Sequence, residues 1–92
     1  NLNNLQELDL SSCSSLQEFK LAENLNLNNL QKLNLNFCSS LQVFEIDCGA
    51  NLKNLQKIHL NRTRVKFHSI AKIIGNMLPN LKMINLQKVT PS

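Results

Sequence analysis

The side chains best able to do chemistry here are three cysteines, two histidines and one Asn-X-Thr triplet. Cys13 and Cys38 sit in the same block, CSSLQ, which occurs at 13–17 and again 25 positions later at 38–42. A recurring thiol could bridge, ligate a metal or attack a substrate. If the two blocks stack one strand apart, their Cα atoms lie about 5 Å from each other, a distance that does not exclude a disulfide. Side chains that point in parallel into one core are nevertheless poorly aimed for bridging. There is no C-x-x-C pair and no Cys/His cluster of zinc-binding spacing. Cys13 and Cys38 are therefore expected to be structural thiols at an inward bend, and Cys48, in DCGA, a turn residue. Three cysteines without paired spacing fit a reducing compartment, so a cytoplasmic location is expected, with an extracellular one left open.

The histidines lead to the same reading. Asp9, Asn34 and His59 occupy equivalent outward positions of successive repeats. Asp9 and His59 would stand two strand spacings apart, about 10 Å, too far for a hydrogen-bonded acid–base pair. Cys38 is expected inward and His59 outward, so they cannot form a nucleophile–base dyad. His68 precedes a helical pattern and is expected to be a cap or a solvent residue. Asn61-Arg62-Thr63 is a glycosylation sequon, a match that a chain with 15 asparagines produces by chance, and Thr63 is expected inward. The expectation is no enzyme: no catalytic residue, no metal and no cofactor.

The elements that position these residues follow from a ladder of leucines. LQELDL at 5–10, LQKLNL at 30–35 and LQKIHL at 55–60 start 25 apart, and LKMINL at 81–86 starts 26 later. LQEFKL at 16–21 and LQVFEI at 41–46 lie between them, again 25 apart. Apolar residues at the first, fourth and sixth positions describe a short strand reached through a bend, with the third and fifth side chains outward. So short a strand cannot bury its own face. Stacking copies in register joins the leucines into one core and the strands into a parallel sheet. The 18 leucines and 15 asparagines suit such repetition better than an ordinary mixed core.

The return segments change along the chain. LQVFEI favours a strand on the opposite, convex side, whereas 16–21 reads as either strand or helical turn. In HSIAKIIGNML, Ile70, Ile73, Ile74 and Met77 share one helical face. The spacing predicts a helix over 69–78, with Ser69 as N-cap and Pro79 as its stop. Asn4, Asn29, Asn54 and Asn80 each precede a strand segment and are expected to serve turns.

L5-x-x-L8-x-L10-x-x-C13, L30-x-x-L33-x-L35-x-x-C38 and L55-x-x-I58-x-L60-x-x-T63 resemble the leucine-rich repeat, whose pattern is L-x-x-L-x-L-x-x-N/C. The fourth copy departs from it, with Val89 in the last slot. LDLSSCSSLQEF is also similar to repeats of plant TIR-type immune receptors, although Lys20 and Glu45 stand where those repeats usually carry Pro. The resemblance implies an α/β solenoid with a parallel concave sheet, and a convex side of short strands followed by a helix. It implies one unit over 1–92 of about three and a half coils, expected to be part of a longer solenoid. It further implies a protein-recognition scaffold rather than an enzyme.

Charge divides the chain. Residues 1–48 hold all six acids and two lysines, a net −4, and residues 49–92 hold eight cations and no acid. Candidate partner-binding residues are the outward strand positions Glu7, Asp9, Lys32, Asn34, Lys57 and His59, with Phe37 and Arg62 in the following loops. Phe37 is either an exposed anchor or a ring folded over the edge of the stack. Two other readings remain at this point. The basic half could bind a polyanion, nucleic acid or anionic lipid, with a steep salt dependence, though no aromatic stacking platform accompanies it. Alternatively, the unit could be a spacer associating head to tail through its charged, apolar ends. No apolar run is long enough to span a membrane.

Overall fold

The computed structural model describes residues 4–22, 27–47, 52–76 and 80–86, with side chains inside the helix at 72 and 74–76 left aside. Among the described residues, six short strands and one helix follow the ladder. They are β1 (Glu7–Asp9), β2 (Glu18–Leu21), β3 (Lys32–Asn34), β4 (Val43–Ile46), β5 (Lys57–His59), α1 (Phe67–Asn76) and β6 (Met83–Asn85). Every strand pair is parallel. One sheet runs β1-β3-β5-β6 and a second pairs β2 with β4, so between paired strands the chain passes through one intervening element, a strand in the earlier repeats and α1 between β5 and β6.

The register is that of the repeat. Leu8 faces Leu33, Leu33 faces Ile58 and Ile58 faces Ile84. These are the fourth-position residues of the apolar pattern. Leu33 and Ile58 are fully buried, while Leu8 and Ile84, in the edge strands, are half-buried. On the other side Phe19 stacks on Phe44, ring centroids 5.8 Å apart and planes 14° from parallel. Within 16–21, open between strand and helix in the sequence, Glu18–Leu21 is a strand. In the third repeat a helix replaces the strand, and Ile70 and Ile73 bring the expected apolar face into the same core.

The helix starts at Phe67, two residues before the predicted start, so Ser69 lies inside the first turn and is not the cap. Ile74's side chain and Met77, Pro79, Cys48 and Val89 fall outside the described residues. Among the described residues no helix is long and apolar enough to cross a membrane. Asn54 and Asn80 take the turn role expected for the asparagine column. Asn54 Nδ2 donates to Asn28 O at 2.6 Å and Asn80 Nδ2 to Lys53 O at 2.5 Å.

Candidate functional site

β1, β3 and β5 each leave the core through a turn of the same kind. Cys13 N donates to Leu10 O at 3.3 Å, and Cys38 N donates to Leu35 O at 3.3 Å. The third residue of each turn takes a positive φ: 64° at Ser12, 64° at Phe37 and 59° at Arg62 in the third repeat. Turns of this kind favour Gly or Asn there, and an ordinary residue gives up about 1–2 kcal/mol. The conformation is held from two sides. Ser12 N donates to Asn36 O and Phe37 N to Asn61 O, each at 2.8 Å, so each turn is bonded to the next. From below, Asp9 Oδ1 accepts from Ser11 N at 2.9 Å, and Asn34 Oδ1 from Asn36 N at 3.0 Å. These are Asx turns, in which a side-chain oxygen stands in for a backbone carbonyl.

The residue after each turn is small, and it points inward at Cys38 and Thr63; Cys13, expected inward as well, is exposed because β1 is the edge strand of the sheet. Cys38 is fully buried, and its thiol donates to Leu10 O of the preceding repeat at 3.1 Å. Burial pushes the Cys38 thiol pKa up. Thr63 fills the same slot one repeat on and donates to Leu60 O at 3.0 Å. Cys13 and Cys38 are both free thiols. Among the described residues no group of three or more His, Cys, Asp or Glu side chains could hold a metal.

The predicted binding residues separate into three groups. Asp9 and Asn34 spend a side-chain oxygen on holding the turn, and the Ser11 hydroxyl and then its amide hold the Asp9 carboxyl below its ordinary pKa. Glu7 and Lys32 pair with each other across β1 and β3 at 3.7 Å, partly exposed. Such a pair contributes at most about 1 kcal/mol. Lys57 continues that row. His59 is half-buried, and its Nδ1 accepts from Asn85 Nδ2 at 2.5 Å. That bond leaves Nε2 to carry the ring proton, and Nε2 is buried without a partner among the described residues. Burial first, then Lys32 and Lys57, push the His59 pKa down, and Glu7 opposes them.

Phe37 and Arg62 form the third group. Phe37 is 50% exposed, and the Arg62 guanidinium lies 5.9 Å from its ring centroid. The ring is therefore not folded into the stack; it stands on the shoulder of the sheet under a cation, a contact of about 0.5–1 kcal/mol. Met83, on the outward side of β6, and Phe67, at the start of α1, are also exposed. Sequence reasoning placed Met83 outward but gave Phe67 no role; its position, one residue ahead of the helical pattern, was the available signal. The chain matches no protein-family model, no curated protein and no solved structure.

Proposed function

We propose that this chain is a leucine-rich-repeat segment, a solenoid of stacked coils that recognises a protein partner and catalyses no reaction. The observation that carries the reading is Phe37. A bulky ring sits at a φ of 64°, half in solvent, with Arg62 over it. Backbone strain of this kind concentrates at functional positions, and aromatic and arginine side chains together supply most binding hot spots. Lys32, Lys57 and His59 extend the surface across the sheet face from that anchor. The four-stranded sheet gives these side chains fixed positions, one row per repeat.

Ser12 occupies the Phe37 slot one repeat earlier with the same φ. Phe37→Ser therefore removes the anchor while keeping a residue type the turn already accepts. The test isolates partners by affinity capture on the wild-type chain and measures each one against Phe37→Ser and Arg62→Ser, with circular dichroism to check the fold. Affinity is expected to fall about tenfold or more for Phe37→Ser, the loss typical of a removed hot spot. Unchanged affinity for every captured partner would overturn the assignment of the site.

A further inference from the structure

The outer face of the four-stranded sheet changes charge from strand to strand. Its outward residues are Glu7 and Asp9 in β1, Lys32 and Asn34 in β3, Lys57 and His59 in β5, and Met83 and Asn85 in β6. The two acids are already engaged. Glu7 Oε2 lies 3.7 Å from Lys32 Nζ, and Asp9 Oδ1 accepts from the Ser11 amide. Lys57 and Arg62 are exposed, and neither has an acidic partner among the described residues. Lys32 and Lys57 stand in register on neighbouring strands, their Cα atoms about 5 Å apart. Like charges directly opposite destabilise a sheet, and a carboxylate arriving from outside relieves that repulsion. The imbalance is felt at His59. Both lysine charges push its pKa down, and the Glu7 charge, the weakest of the influences, opposes them.

Apolar groups flank this cationic strip. Phe37 stands beyond the end of β3, half exposed beside the Arg62 guanidinium, and exposed Met83 is in register with Lys57. We infer, on the reading that Phe37 anchors a protein partner, that the partner meets this face through an acidic peptide segment. Its carboxylates lie over Lys57 and Arg62, and an apolar side chain rests against Phe37. Lys57 and Arg62 are five positions apart in one repeat, so an extended segment of about six residues, at about 3.3 Å each, reaches from one to the other. The strip suits a peptide better than a nucleic-acid strand. A phosphate backbone follows a continuous run of cations while its bases stack on free aromatic faces. Here Glu7 and Asp9 close the β1 side of the strip, and the Phe37 ring already has Arg62 beside it. Charge complementarity of this kind selects the partner and speeds encounter.

The probe is a phage-displayed library of random peptides about twelve residues long, roughly twice the span of the strip, selected on the immobilised whole chain at low salt. Selected sequences are expected to carry an excess of Asp and Glu close to an apolar residue. Each is then synthesised with a fluorescein label, beside an analogue in which every Asp and Glu is the corresponding amide. The analogue is expected to bind at least about fivefold more weakly, as two exposed ion pairs together allow. Lys57→Glu and Phe37→Ser, both checked for fold by circular dichroism, should each weaken the acidic peptides about tenfold. Peptides that bind both variants as they bind wild type sit elsewhere, which would overturn the sheet-face site and the inference with it. Peptides that need Phe37 yet bind equally well as amides would overturn the inference alone. So would a selection that yields no peptide, or a labelled oligodeoxythymidine of about twenty nucleotides that displaces the best peptide and binds more tightly.

Discussion

The pentapeptide CSSLQ occupies the same turn at 13–17 and at 38–42, yet the two copies live in different solvents. Cys38 and Leu41 are fully buried; Cys13 is exposed and Leu16 half-buried. The neighbouring strand residues behave alike, Leu33 buried and Leu8 half-buried. Local sequence therefore does not determine how much apolar surface a repeat removes from water. The number of flanking repeats does. The second repeat is covered on both sides by the β1–β3 and β3–β5 pairings, whereas β1 pairs on one side only. In a stack whose units contact only their neighbours, stability is a sum of unit terms and interface terms, and identical units differ only in the second.

Truncating equivalent leucines measures that interface term and carries the largest expected effect. Leu33→Ala removes a side chain packed from both sides and should cost about 3–4 kcal/mol, within the range for core leucines. Leu8→Ala acts on a half-buried residue and should cost about 1–2 kcal/mol. Urea unfolding followed by circular dichroism gives both values. Equal losses would mean that burial in the stack is not what separates the two repeats.

The cysteines sharpen the same comparison at lower cost. Cys38→Ala removes a buried thiol and its bond to Leu10 O and should destabilise by about 1–2 kcal/mol. Cys13→Ala should stay within about 0.5 kcal/mol, as exposed substitutions do. Reactivity should divide the same way. In native buffer a maleimide should label Cys13 within minutes and leave Cys38 untouched until denaturant is added, read by peptide mass mapping. Rapid native labelling of Cys38 would break the comparison.

Much of this was legible in the leucine ladder. The 25- and 26-residue offsets set every register of the four-stranded sheet, because a one-residue slip would turn Leu8, Leu33 and Ile58 out of the core. The inward position of Cys38 and Thr63 was readable for the same reason. The role of Asp9 and Asn34 was not drawn from the sequence, although an Asp or Asn just ahead of a turn is its usual signal. The positive φ at Ser12, Phe37 and Arg62 was not readable at all: none of the three favours it, and at Ser12 and Phe37 a bond to the next repeat holds it. Where the third repeat turns into a helix was legible only in part, and the spacing placed that start two residues late.

The smallest expected effect concerns one column of the sheet, where Asp9, Asn34 and His59 stand in register. Asp9 and Asn34 each hold the turn that follows them; His59 instead accepts from Asn85, and Asn61 N takes its oxygen from Asn36. The column should therefore respond to pH at two separate points. His59 has its pKa pushed down by burial and by Lys32 and Lys57, so the unfolded chain binds its proton more readily than the folded one. Stability should then begin to fall as pH drops below the ordinary histidine value, about 6.5. The loss should level off once the folded-state ring is also protonated. Asp9 is lowered too, and what it contributes is present above the ordinary carboxylate range and disappears as pH falls through its depressed value. His59→Asn, which makes the third repeat match the second at this position, should flatten the first decline and leave the acid one. Urea midpoints between pH 4 and 8 for wild type and variant separate the two, since acid–base linkage predicts a difference only below about 6.5. A wild-type profile that is flat from pH 8 down to the carboxylate range would show that His59 is solvated as freely as in the unfolded chain, and that the third repeat differs from the second in residue type alone.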